Sequence, residues 1–183
     1  HGQVWTWVVA DDGAAPELAP LDQLPLSFAQ TDIFGLYRTP SAAKKALVAV
    51  AREHRLCMKM LGLESSRGSC FAYQLGHCAG ACVGEESLPL HTARLKIAMA
   101  SQRLKSWPYQ GAIGIREVSD EGLEQLHIID DWRHVATIES DDELPDRIRR
   151  QPFDIDVYKI LTRHMKNSPR LRIVPLAARQ DAA

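Results

Sequence analysis

All four cysteines of this chain fall within one 26-residue window: Cys57, then Cys70, Cys78 and Cys82 in the stretch CFAYQLGHCAGACVGE. Crowded thiols have three ordinary uses: disulfides, packing as small hydrophobes, or convergence as thiolates on a metal centre. No basic region followed by an apolar run and a small-residue cleavage site opens the chain, so nothing reads as an export signal, and cytosolic thiols stay reduced. Independent buried thiols would scatter along the sequence rather than share one basic, glycine-containing window. A shared metal centre has a mechanism. Neighbouring cations lower thiol pKa values and favour ligation, and Gly76, Gly80 and Gly84 let the backbone bend sharply around a centre.

The gaps are twelve, seven and three residues (Cys57-x12-Cys70-x7-Cys78-x3-Cys82). Structural zinc is ordinarily held by paired C-x2–4-C knuckles, and only the last pair here is that close. Long, unequal gaps suit a cubane, whose four cysteine ligands stand further apart than those of one zinc ion. On spacing alone zinc and iron–sulfur stand nearly level, with a slight tilt to iron–sulfur. His54 and His91 flank the window, His77 lies within it, and all three offer substitute ligands, although a surface or hydrogen-bonded role is the ordinary one for each.

Net charge is −1, but it is segregated: Arg38 to Lys105 holds eleven basic and four acidic residues, a balance of +7. Such a module attracts polyanions, and Lys44, Lys45, Arg52 and Arg67 are its candidate phosphate contacts. The bland alternative is a set of solvated helix faces. No apolar run approaches the roughly 18 to 20 residues that span a bilayer, so no membrane role is expected. The chain is long enough for one large domain or two small ones, and it reads as a piece of a longer protein.

The elements that must position these residues form an expected α+β chain in three parts. Residues 1–32 are a strand (QVWTWVVA) and a Pro/Asp-rich linker, mostly connection. Residues 33–106 are a basic helical cysteine-rich module: strand IFGLY, a helix over 39–56 capped by Thr39 or Ser41, and a short helix at CFAYQLGH. Its last helix runs over 88–107 behind Ser87, with Leu88, Leu95, Ala98 and Met99 inward. In that module the first helix buries Ala43, Leu47, Val50 and Ala51, and Phe71 and Tyr73 are read as core rather than base-stacking groups. Residues 107–183 are a small antiparallel-sheet subdomain with one or two helices: strands AIGIREV, LHIID, WRHVATI and RLRIVPL, helical character in DDELPDRIRR that Pro145 limits, and a helix behind Asp154. That helix places Val157, Tyr158, Leu161 and Met165 on one face, Trp107, Tyr109 and Trp132 pack the sheet, and AARQDAA is a frayed tail. Asp130–Asp131 and Asp141–Asp142 are imaginable metal ligands, but their positions suit capping better.

The run FGLYRTPSAAKKALVAVAREHRLC…GSCFAYQLGHCAGACVGEES resembles the cysteine-rich segment of the UvrC/Cho-type excision-repair endonucleases. LCMKMLGLE, WPYQGAIGIRE, LHIIDDW and FDIDVYKIL are similar to the Cho branch, so the likeness covers roughly residues 33 to 176. It extends to bacterial proteins that fuse a polymerase III epsilon-like 3′–5′ exonuclease to a Cho-like part. The resemblance implies nucleotide excision repair in the cytoplasm, with DNA incised beside a lesion bound by UvrAB. It also implies an iron–sulfur cluster, of the 4Fe–4S type, on Cys57, Cys70, Cys78 and Cys82. The chain lacks the family's GIY…YIG pair with its Tyr, Arg and Glu constellation, an RNase H-like nuclease domain, a UvrB-binding hairpin and an exonuclease's acidic motifs. A non-catalytic, DNA-binding module of a larger endonuclease is therefore expected. The alternatives are a zinc-stapled binding or interaction module, a self-contained hydrolase or nuclease using the acidic C-terminal half, and a redox sensor pairing Cys78 with Cys82.

Overall fold

The computed structural model describes residues 2–26, 32–168 and 171–176. The chain forms two compact units that divide between Leu104 and Lys105, with Pro25 and Leu26 belonging to the second. The architecture is α+β, as expected, with two small antiparallel sheets and four helices among the described residues.

In the first unit, β1 (Trp5–Val9) is central, flanked by β2 (Glu17–Pro20) and β3 (Asp32–Tyr37). The lead-in residues are thus built into the cysteine-bearing unit. β2 lies where a plain connection was expected; as an edge strand it tolerates Pro20, whose missing N–H costs no ladder bond. β3 carries a bulge against β1 between the Trp5 and Trp7 registers, where Gly35 adopts φ 78°. A Cβ on Gly35 would sit 2.4 Å from the Tyr37 ring, so only glycine fits.

Helix α1 (Pro40–Glu53) starts as expected, with Ala42 N–H donating to Thr39 Oγ1 at 3.1 Å and Pro40 in the first turn. It buries the predicted face of Ala43, Leu47, Val50 and Ala51 against Trp7, Val9, Phe34, Leu95 and Met99. α1 ends in a Schellman corner. Leu56 N–H donates to Ala51 O at 2.9 Å, and Arg55 takes the left-handed position at φ 54° that usually selects glycine. The Arg55 guanidinium then donates to Gly76 O at 2.8 Å, holding that corner to the cysteine loop.

α2 is a single turn (Phe71–Gln74), and α3 spans Leu88–Ala98 behind Ser87, whose Oγ accepts from Leu90 N–H. α3 is shorter than expected, passing into a 3-10 turn at Ala100–Gln102. Its buried side is His91, Thr92 and Leu95, while Leu88, expected inward, is exposed in the first turn against Gly13. Periodicity counted Leu88 as apolar without registering that Pro89 and the cap place it outside the packed stripe.

The second unit is a sheet in the order β6-β5-β4-β7, from β4 (Ile113–Val118), β5 (Glu124–Asp130), β6 (Arg133–Ile138) and β7 (Arg172–Pro175). The expected meander is present, with α4 (Ile155–Asn167) capped by Asp154 Oδ1, which accepts from Asp156 and Val157 N–H. Ile155, Tyr158 and Leu161 are the buried positions of α4; Val157 and Met165 are half-buried. DDELPDRIRR yields only the 3-10 turn Asp141–Glu143, because Leu144 precedes proline and is driven out of the α region, to ψ 122°. Trp107, Trp132 and Tyr158 stack edge-on at 5.2 and 5.6 Å, with Tyr109 against Trp107, as the expected packing group. The expected frayed tail, AARQDAA, lies outside the described residues.

Candidate metal centre

Three backbone features bring the thiols together. Cys57 follows the Schellman corner of α1, and Cys70 is the N-cap of α2, its Sγ accepting from Tyr73 N–H. Cys78 and Cys82 flank a turn in which Gly80 and Gly84 take φ 89° and 80° around a 3-10 segment, Ala81–Val83. All four Sγ atoms lie within 4.8 Å of one another. Cys57, Cys70 and Cys78 are buried and Cys82 is half-buried. Together with Ala81 they form their own small cluster, packed by Met60, Ala72 and Tyr73, and no large aliphatic side chain belongs to it.

The sulfurs are surrounded by N–H donors. Cys70 N–H points at Cys82 Sγ, and Gly80 N–H at Cys78 Sγ, both at 3.4 Å. Burial pushes the Cys57, Cys70 and Cys78 thiols above the ordinary cysteine value, against the backbone donors that favour their thiolates. Burial also acts on Cys82, but the Cys70 N–H and the Cys57 and Cys70 thiols donating to it prevail, and its pKa is lowered. One thiol is therefore already held toward the ligating form, and a cation would bring over the rest.

A further shell escaped the sequence reading. His91 is not a ligand: its Nε2 accepts the Cys57 N–H at 3.0 Å, which places the proton on Nδ1. Burial lowers the His91 pKa, Glu86 opposes this and Arg94 adds to it. Glu86 is buried and pairs with Arg94, whose other arm binds His54 O, so α3 is tied to the end of α1 beside Cys57. His54 and His77 are exposed and contribute no ligand atom to the cluster. The only trace of this shell in sequence is acid and histidine next to the last cysteine, a pattern too common to single out.

Of the eleven basic residues, several are already engaged. Lys96 and Arg103 pair with Asp32, Lys96 also with Asp11, and Lys59 binds Gly68 O. Among the described residues, Lys44, Lys45 and Arg52 are exposed on α1 without an ion-pair partner, lining one shallow groove of about 530 Å³. Arg67 is exposed too, but in the 61–69 loop away from that groove. Asp131 pairs with Arg133 at 2.7 Å and Asp141 lies 3.5 Å from Arg116, so neither acid pair gathers as a metal site among the described residues. Ser140, not an aspartate, caps the turn at Asp141.

A small α+β unit gathers four cysteines that could hold a metal ion, and a four-stranded sheet unit follows it. The family described as the UvrC/Cho excinuclease middle domain matches residues 5–101, and the excinuclease Cho C-terminal domain matches residues 112–180. Excinuclease Cho of Escherichia coli K12 is 42% identical over 133 residues, 71% of this chain and 45% of that protein. The corresponding protein of Shigella flexneri has the same coverage and identity, and that of Salmonella typhi is 40% identical over 135 residues, 72% of this chain and 46% of that protein. The chain belongs to the UvrC/Cho excinuclease family. It spans about half the length of the curated relatives it matches. No solved structure matches it. No helix among the described residues is long and apolar enough to cross a membrane.

Proposed function

We propose that this chain is the non-catalytic, DNA-binding portion of a Cho-like nucleotide excision repair endonuclease, acting in the cytoplasm on lesions marked by UvrAB. Cys57, Cys70, Cys78 and Cys82 hold a 4Fe–4S cluster, and Lys44, Lys45, Arg52 and Arg67 contact DNA phosphates. Residues 107–183 are a distinct subdomain, and incision belongs to a GIY-YIG nuclease in the parent protein. The observation that carries the reading is the gathering of four sulfurs in a region matching the family's middle domain.

A bound centre supplies charge compensation and four strong bonds to a loop that has no large aliphatic core of its own. The chain does the rest: the α1 corner and the Glu86–Arg94 pair fix Cys57, and the two left-handed glycines fix Cys78 and Cys82. The long cysteine gaps and the family membership support iron–sulfur. One observation favours zinc instead. Tetrahedral zinc at 2.3 Å from each sulfur needs S–S separations of about 3.8 Å, nearer to the 4.8 Å limit seen than a cubane requires.

Anaerobic purification decides between them. The proposal expects brown protein with about four irons per chain; colourless protein with one zinc would replace the cluster while keeping the metal staple. Binding to duplex DNA should weaken steeply with salt, and salt-independent binding would remove the phosphate role of the basic residues.

A further inference from the structure

Phe71, expected in the core, is 63% exposed, and Leu75 one turn on is 56% exposed. Both stand on the wall of a groove of about 630 Å³ whose other wall is Val48 and Arg52 of α1 and whose floor includes Leu56 and Met58. The volume falls within the range of small-ligand pockets, roughly 300–1,000 Å³. Its one acid, Glu64, is turned to structure: its carboxylate accepts the Phe71 N–H at 3.0 Å and so fixes the start of α2. Phe71 is anchored from its other side as well, because the preceding residue is Cys70.

The groove adjoins the basic one: Val48 and Arg52 line both, and Lys44 and Lys45 stand on the far side of that shared ridge. An apolar slot with a rigid exposed aromatic, bordered by unpaired cations, has the chemistry of an unpaired nucleotide: a π-faced, largely apolar base beside phosphates. An apolar peptide would use the slot but leave the cations without a role. We infer that this groove receives a single unstacked nucleobase against Phe71, while Lys44, Lys45 and Arg52 hold the adjoining phosphates. The inference rests on the proposed DNA-binding role and adds to it a preference for distorted DNA.

The test uses the intact chain and two labelled duplexes of one sequence, one fully paired and one with a single bulged nucleotide, titrated by fluorescence anisotropy at fixed salt. The bulged duplex should bind about five- to hundredfold more tightly, the range expected of one aromatic–base stack. Phe71→Ala should bring the ratio of the two affinities to near one. Phe71→Trp should keep the ratio and show indole quenching on the bulged duplex. Lys45→Ala should weaken both duplexes by the same factor. Equal affinities in the unaltered chain, or a ratio that survives Phe71→Ala, overturn the base site and leave duplex binding standing. If neither duplex binds, the DNA-binding role itself falls and the groove proposal with it. Since Phe71 is exposed, its variants should load metal like the parent chain, and metal content checks that they have folded.

Discussion

Gly80 and Gly84 offer a paired test of how the cysteine turn is held. Both have a left-handed backbone, φ 89° and 80°. An alanine at Gly84 would meet no atom within 4 Å, whereas at Gly80 its Cβ would lie 2.8 Å from Glu85 Cβ and Oε2 and 3.2 Å from the Tyr73 ring. The left-handed conformation costs a non-glycine residue about 1–2 kcal/mol, and alanine recovers about 0.4–1 kcal/mol by restricting the unfolded chain. Gly84→Ala should therefore cost roughly 0–1.5 kcal/mol. Gly80→Ala adds an overlap that Glu85 Oε2 can escape by rotating but Glu85 Cβ cannot, worth about 1–3 kcal/mol by analogy with overpacked cores. Its backbone would move, taking along the Gly80 N–H that donates to Cys78 Sγ and the carbonyl that accepts from Val83 and Glu85 N–H. Metal release in a urea series, read as the midpoint for each variant, measures the difference within this unit. Gly80→Ala should shift the midpoint clearly further than Gly84→Ala. Equal shifts would show that the packing around Gly80 does not hold the turn, and the steric account would be wrong.

Three further outcomes are expected. Cys82→Ser should leave the chain largely without metal after purification while the second unit's sheet persists, as metal analysis and circular dichroism would show; full occupancy would remove Cys82 as a ligand. His91→Leu leaves the buried Cys57 N–H without an acceptor and should cost about 1–3 kcal/mol in the urea midpoint, with metal stoichiometry retained. Asp130 has a raised pKa, from burial and then from the neighbouring Asp131 charge, so the native carboxylate carries a penalty that the unfolded chain does not. That penalty is absent below the ordinary aspartate range and complete above the raised native value, so Asp130→Asn should raise the melting temperature at pH 7 and lose its advantage as pH falls toward about 4.

How much was legible follows from where the information sits. α1 was readable because cap, proline and a four-residue apolar face all lie in one short segment. The cysteine window was readable because rarity and crowding are properties of sequence. Phe71 was misread because an aromatic between two buried cysteines looks like core, and only the turn of α2 decides which way it faces. β2 was hidden by Pro20 and by Pro16 just before it, which mark a loop unless a partner strand is known to lie on one side only. The His91, Glu86 and Arg94 shell depends on α3 folding back over the end of α1, a tertiary fact with no local signature. The helical character of DDELPDRIRR is limited by Pro145, as its sequence indicates: the turn stops at Glu143 because the residue before proline is driven out of the α region.

The two clusters of the first unit differ in how far apart in sequence their members lie. The core joins Trp7 to Met99 through Phe34 and Leu47, and it cannot close until both ends of the unit meet. The sulfurs come from one 26-residue window, and closing so short a loop costs little more than closing a turn of half that length. Low separation means early contact, so the thiols can gather while the sheet is still unformed. A centre acquired at that stage would serve as a nucleus on which the end of α1 and the start of α3 later dock.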